Sequence, residues 1–369
     1  MQTIRWGIMG TGRIAELFAQ GLQHVSNAEV TGAASRNKKN ADSFAARFGV
    51  PRTYNSYDEL AAANDIDVIY IATPNTLHRD NALLCLKHKK HILVEKPFAI
   101  NAREASEIID EARRQHCFCM EAMWMRFLPA MQKARQIVDS GILGDIRILT
   151  ADFGLARPYD ASDRVFNREL GGGSLLDLGV YPISLSWYLM GAAESAIGSA
   201  SMTPTGVDEQ ASVILNYPGG AKAICTSSLN ALTPHEAVIS GTHGRLRIHA
   251  PIWRPSRLTV ESFGAPVKPG NQTGGRGRLD DLKNNPLVGY AKQTFDGIVA
   301  PALNNLRRGT AVPYVGNGYN YEAIEVNRCI AAGETESPIM PMRETLQIME
   351  VMDSVRKTWN LEYPADLNR

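Results

Sequence analysis

The run Gly10-Thr11-Gly12-Arg13-Ile14-Ala15 follows the apolar segment 4–9 and leads into the helical pattern Ile14, Leu17, Phe18, Leu22. Strand, glycine-rich turn and helix, in that order, is what a dinucleotide-binding βα unit requires. Gly10 permits the tight turn, Gly12 lets the backbone approach a pyrophosphate, and small Ala15 lets helix and strand close up. The helix N-terminus then offers unpaired N–H groups and a partial positive charge to phosphates. Many glycine-rich turns bind nothing, so the flanking strand and helix carry this reading more than the glycines do.

The chain has 369 residues, longer than one ordinary domain, and two domains are expected. Hydrophobic residues make up 44% and charged residues 21%, the balance of a globular protein with a sizeable core. A formal net charge of +1 points to neither nucleic acid nor a membrane surface as partner. The first apolar run reads as a strand and not as the core of a signal peptide, and no run is long enough for a transmembrane helix. The expected location is cytoplasmic. Five scattered cysteines (85, 117, 119, 225 and 329) lack metal or redox spacing, so they read as buried free thiols. No carboxylate–histidine set has metal-site spacing, and no metal is expected.

The first third alternates strand and helix signals. Strands are expected at 30–34, 66–72 and 92–94, and helices at 39–48, 77–88 and 102–114. This rhythm implies a parallel, doubly wound sheet, whose ligands bind beyond the carboxyl ends of the strands. After about residue 125 the pattern changes. A helix at 128–139 and a strand at 146–153 are followed by short strand signals at 211–217, 221–227, 237–240 and 246–249, which suggest a largely antiparallel sheet. The Gly- and Pro-rich stretch 264–278 reads as a loop, either lid or plain surface, and 319–332 and 344–358 read as the final helices.

The second strand ends Ala33-Ala34-Ser35-Arg36, without the acidic residue that would hydrogen-bond a ribose 2′-hydroxyl. A small hydroxyl beside an arginine suits a 2′-phosphate, so NADP is preferred over NAD, with Ser35 and Arg36 as its contacts. The plainer reading makes Arg36, Lys38 and Lys39 a solvated helix start.

Three further segments carry more than a fold: Ala72-Thr73-Pro74-Asn75-Thr76-Leu77-His78, Val94-Glu95-Lys96-Pro97, and the run from Gly171-Gly172-Gly173 through Asp177 to Tyr181. With the opening fingerprint they resemble the glucose–fructose oxidoreductase / inositol dehydrogenase family across nearly the whole chain. Glu121-Ala122-Met123-Trp124-Met125-Arg126-Phe127 narrows the likeness to the dimeric dihydrodiol dehydrogenase branch, whose members are also described as NADP-dependent D-xylose dehydrogenases.

The resemblance implies an α/β protein. A Rossmann domain, with its doubly wound parallel sheet, would occupy residues 1–125. A C-terminal α/β domain for substrate binding and oligomerisation would occupy 126–369, built on a large, mainly antiparallel open sheet. The last helix is a candidate to pack back on the first domain, and a homodimer or higher homo-oligomer through the open sheet is expected. Gly10, Thr11, Gly12, Arg13 and Ile14 would hold the cofactor, as would the Thr73-Pro74-Asn75 turn, His78 and Glu95. Lys96 would lie beside the nicotinamide, before a cis Pro97. Trp124, Arg126, Phe153 and Trp253 look like substrate-pocket residues, although by composition alone the aromatics are core.

Asp177 and Tyr181 are four apart, one turn on one face of a helix. Moving a hydride to or from an alcohol carbon needs a partner for the hydroxyl proton, and a phenol serves only if a nearby cation stabilises its anion. The preferred scheme has Tyr181 as acid/base, Lys96 tuning it, and Asp177 orienting a second hydroxyl. Many family members carry His where this chain has Tyr181, which keeps open the assignment of the proton to Lys96 itself. The plainer readings are a helix cap for Asp177 and a core role for Tyr181. Functionally the chain is expected to be an NADP-dependent oxidoreductase for a cyclic vicinal diol, a sugar such as D-xylose or a trans-dihydrodiol. The competing readings are a sugar isomerase or glycosidase that retains its nicotinamide, and a non-catalytic dinucleotide sensor.

Overall fold

The computed structural model describes residues 3–262 and 309–367. The expected loop at 264–278 lies outside them.

The first sheet is built from β1 (Ile4–Met9), β2 (Ala28–Ala34), β3 (Arg52–Tyr54), β4 (Val68–Ile71), β5 (His91–Glu95) and β6 (Cys119–Ala122). All its pairings are parallel, in the order β3-β2-β1-β4-β5-β6. Strands β1, β4 and β5 are buried along almost their whole length, as strands covered on both faces must be. The connecting helices are α1 (Arg13–Leu22), α2 (Lys38–Phe48), α3 (Tyr57–Ala62), α4 (His78–Lys87) and α5 (Ala102–Gln115). α1 buries Ala15, Phe18, Ala19 and Leu22, and Phe18 stacks on Tyr70 of β4 at 3.8 Å between ring centroids. A large apolar side chain such as Phe18 or Leu22 contributes about 1.5–3 kcal/mol when fully buried.

The order reverses between β1 and β4, and a crevice opens at their carboxyl ends. Gly10 lies at that point with φ +92°, and a Cβ on it would come within 2.7 Å of the Ala72 carbonyl oxygen. Only glycine allows both this backbone conformation and the close approach.

Among the described residues the second sheet has eight strands: β7 (Ile146–Gly154), β8 (Ser195–Met202), β9 (Asp208–Asn216), β10 (Lys222–Ser228), β11 (Ala237–Gly241), β12 (Gly244–Ile248), β13 (Arg257–Ser262) and β14 (Thr310–Ala311). Their order is β14-β13-β12-β11-β7-β10-β9-β8. All neighbours are antiparallel except β10 and β7, which run parallel. One face, with Leu149, Ala151, Val213, Leu215, Ala223 and Ile239, is buried. α6 (Pro129–Asp139) and α7 (Val180–Met190) pack on this sheet. α7 is buried at every position but its last, which is why it lacks the polar stripe of a surface helix.

α8 (Tyr319–Ala331) packs on α1, and α9 (Met342–Thr358) packs on α5 and β6 of the first sheet and on β8 of the second. Asp353 of α9 accepts from Ala102 N at 2.8 Å, and Arg356 donates to the Ile100 carbonyl. A short α10 (Pro364–Leu367) ends the described chain. All five cysteines are buried and unpaired.

Candidate active site

A cleft of about 480 Å³ runs from the glycine turn along the crevice between β1 and β4. Gly10, Thr11, Gly12 and Ile14 line one end, Ser35 and Arg36 its flank, and Thr73, Pro74, Asn75 and His78 the opposite wall. Arg13 is exposed at the first position of α1 and is not among the lining residues. Asn37, Ser56 and Asn101 cap α2, α3 and α5 with their side chains, whereas α1 starts at Gly12 with no side-chain cap. Among the described residues, a Cβ on Gly12 would meet no atom within 4 Å beyond its chain neighbours and its own helix. An uncapped helix start facing open space is a cradle for a pyrophosphate, so the residues present fit a dinucleotide.

Asn40 and Tyr57, which no motif or spacing singles out, join Ser35 and Arg36 at the flank. Lys38 instead bonds Asp42 at 2.5 Å, away from the cleft-lining set. No carboxylate among the described residues pairs with Arg36.

His78 is fully buried and joins the two loops of the wall. Its ring nitrogens lie 2.9 Å from the carbonyl oxygens of Pro97 and Thr73. Burial pushes the imidazole down to about 4, so the ring is neutral and donates to one of the two. Glu95 accepts from the Tyr70 hydroxyl and from Lys96 N. The Lys96-Pro97 bond is cis.

At the far end of the cleft stand Lys96, Asp177 and Arg164. The Lys96 ammonium donates to the Asp177 carbonyl at 2.7 Å and approaches its carboxylate at 3.4 Å. Arg164 donates to the same carboxylate oxygen at 2.9 Å. Burial alone would raise the Asp177 pKa, but Lys96 and Arg164 outweigh it and hold the carboxyl well below the usual range. Burial likewise disfavours the Lys96 ammonium, and Asp177, Tyr181 and Glu95 more than compensate, leaving its pKa raised. Asp177 lies in a π-helical turn, Leu175–Gly179, at the head of α7. In that register the partner of its carbonyl is Pro182, which has no N–H to give.

The glycines before this turn are packed, not flexible. A Cβ on Gly171, Gly172 or Gly173 would lie 2.5, 2.6 or 2.3 Å from Ile100, the Val165 carbonyl or Asp208.

Tyr181 sits beyond Lys96, with the ammonium 4.9 Å from its ring centroid. Its hydroxyl accepts from Trp124 Nε1 at 3.2 Å, and Trp124 stacks on Tyr319. Phe153 meets Tyr181 edge-on at 5.3 Å and stacks on Trp253 at 4.2 Å. Burial raises the Tyr181 pKa, with the Lys96 charge offsetting part of the rise. Trp124 and Phe153 therefore contact Tyr181, and Trp253 stacks behind Phe153.

Arg126 does not join them. It is wholly buried, pairs with Glu344 of α9 at 2.6 Å, and donates to Ser184 Oγ and the Ser184 carbonyl. Its position in the Trp-Met-Arg-Phe turn faces the helix packing instead of the cleft, and the expectation that it contacts substrate is corrected. Arg164, which sequence patterning missed, is the arginine at the site. It lies in an aperiodic stretch that offers no signal.

Two family models match the chain: "Oxidoreductase family, NAD-binding Rossmann fold" over residues 4–123 and "GFO/IDH/MocA C-terminal domain" over 131–247. The trans-1,2-dihydrobenzene-1,2-diol dehydrogenase of Mus musculus is 33% identical, over 98% of this chain and 99% of its own. This chain is a member of the GFO/IDH/MocA oxidoreductase family. The Homo sapiens dihydrodiol dehydrogenase is 32% identical over the same shares of both chains. An aldose-aldose oxidoreductase from Caulobacter crescentus superposes with a TM-score of 0.78 at 21% identity, covering 97% of this chain and 98% of its own. A 3-ketoreductase from Actinomadura kijaniata, solved with NADP and TDP-benzene, gives 0.76 at 22% identity, covering 96% and 98%. At that identity the two structures speak for the fold alone. This GFO/IDH/MocA protein is thus an oxidoreductase with an NAD(P)-binding Rossmann domain. Among its described residues no helix is long and apolar enough to cross a membrane, and no group of three or more His, Cys, Asp or Glu side chains is placed to hold a metal.

Proposed function

We propose that this oxidoreductase uses NADP to interconvert a cyclic vicinal diol, a sugar or trans-dihydrodiol, with the corresponding carbonyl compound. The observation that carries the reading is the Lys96–Asp177 pair at the end of the dinucleotide cleft, with Tyr181 directly beyond it. When bound, the nicotinamide supplies the hydride acceptor or donor. Tyr181 exchanges the proton of the reacting hydroxyl, and its anion is stabilised by the Lys96 charge and the Trp124 N–H. Lys96 also binds the substrate oxygen. Asp177, ionised at all ordinary pH, accepts from the neighbouring hydroxyl and so selects a diol. The stacked Phe153–Trp253 pair suits the apolar face of a ring. Names of the relatives, dihydrodiol dehydrogenases at 32–33% identity, support this substrate class.

The preference for NADP rests on Ser35 and an Arg36 free of carboxylate partners among the described residues, at a strand end that lacks an acid. A homodimer through the second sheet is part of the same reading. Ile197, Ile214, Ile224, Thr150 and Val238 align in register across its open face, and Ile197 is 61% exposed.

The test is nicotinamide reduction by the purified protein with NADP and with NAD, across D-xylose, D-glucose and benzene trans-dihydrodiol. Turnover with NADP on at least one of them is expected. Tight NADPH binding with no turnover, or dinucleotide retained without net reduction, would sink the dehydrogenase reading.

A further inference from the structure

The turn that carries Asp177 is held from behind by a carboxylate that does not line the cleft. Asp208 opens β9, is wholly buried, and its Oδ2 accepts from Ser174 Oγ and from Leu175 N, each at 2.7 Å. Ser174 Oγ also lies 3.0 Å from Ser227 Oγ of β10. Asp208 thereby satisfies the first N–H of the Leu175–Gly179 turn, which has no side-chain cap from its own flanking residue. Gly173, at φ +115°, makes room for it, since a Cβ there would lie 2.3 Å from Asp208 Oδ1 and 3.0 Å from the Tyr363 hydroxyl. That hydroxyl donates to the Gly172 carbonyl at 2.5 Å. Residues 172, 173 and 175 are thus clamped between a strand of the second sheet and the C-terminal segment. Asp177 follows two residues on, and Tyr181 four beyond that.

We propose that Asp208, assisted by Tyr363, is a positioning residue for the reaction. It fixes the register of the Leu175–Gly179 turn and, through it, the contact of Asp177 with Lys96. The proposal rests on the reading of Lys96, Asp177 and Tyr181 as the reacting groups. A misplacement of about 1 Å at such groups costs roughly 10²-fold in rate, so a clamp outside the pocket has kinetic consequences.

Full-length D208A, D208N, S174A and Y363F are compared with wild type, and D177N serves as the control. Turnover, KM and NADPH affinity by fluorescence titration are read for each. D208A should lower kcat by about tenfold or more while NADPH affinity stays within about twofold, because the glycine turn of β1 is untouched. D208N keeps a carbonyl oxygen for Leu175 N and should recover most of the loss. S174A and Y363F each remove one hydroxyl, should lower kcat by smaller factors, and carry the test if D208A does not fold. Wild-type kcat in D208A, or in both S174A and Y363F, overturns the positioning role while D177N is inactive. A parallel fall of kcat and NADPH affinity also overturns it, by showing general loss of structure. Wild-type turnover in D177N would instead remove the reading on which the proposal stands.

Discussion

The Lys96 ammonium bonds the backbone carbonyl of Asp177 at 2.7 Å, closer than it approaches the carboxylate of the same residue. The lysine is thereby anchored to the main chain of the buried helix head beside the second sheet while its charge still faces the Tyr181 ring. The carboxylate, shared with Arg164, stays accessible at the end of the cleft. One cation thus ties the end of β5 to the head of α7.

Replacing Lys96 by Met removes this tie and the charge that stabilises an anion on Tyr181 or on the substrate. Steady-state kcat should fall by about 10²- to 10⁴-fold, the range for losing a group that acts on the proton. NADPH affinity, measured by fluorescence, should change little, because the pyrophosphate cradle at Gly12 is distant in sequence and built from backbone.

Tyr181 and Lys96 both have raised pKa values, so both are protonated at neutral pH. Diol oxidation needs the base form and carbonyl reduction the acid form. The oxidation rate should therefore climb steadily from about pH 7 through at least about pH 10, while the reduction rate stays flat over that range and declines only in stronger alkali. Y181F should abolish the climb. If the climb persists in Y181F and disappears in K96M, the proton belongs to Lys96.

Arg36→Ala should weaken NADP binding by roughly 10- to 100-fold, the worth of charge-assisted hydrogen bonds to a phosphate, and leave NAD binding nearly unchanged. Equal losses for both dinucleotides in calorimetric titrations would refute a 2′-phosphate contact.

Arg126→Met breaks a pair in which the arginine is wholly buried and Glu344 keeps 29% of its side-chain exposure. Denaturant unfolding should show a loss of about 3 kcal/mol, the low end for broken buried pairs, since water reaches the remaining carboxylate. The substrate KM of the folded fraction should not move.

The βα rhythm of the first sheet was legible because its signals are local. Segments such as 68–71 and 92–94 are apolar throughout, and the helices between them keep a 3.6-residue period. The second sheet was read less fully: β8, with alternating Ser and Ala, and β13, with mixed polar residues, carry weak strand patterns and owe their state to pairing with neighbours. Trp124, Phe153 and Trp253 were read through a resemblance, and the contacts of the first two with Tyr181 and of Trp253 with Phe153 are products of packing.

The sequence by itself determined the glycine turn, the acid-free end of β2 and the chemical identities at positions 96, 177 and 181. Those follow from side-chain type and near-neighbour spacing. Tertiary structure alone decided that Arg164 meets Asp177 while Arg126 is buried against Glu344, that residues 171–173 are glycines for lack of room, and that Asp208 and Tyr363 brace the turn. Each of these joins residues whose separation along the chain says nothing about their distance in space. Only the path of the backbone brings them within hydrogen-bond reach, and burial then makes their partners obligatory.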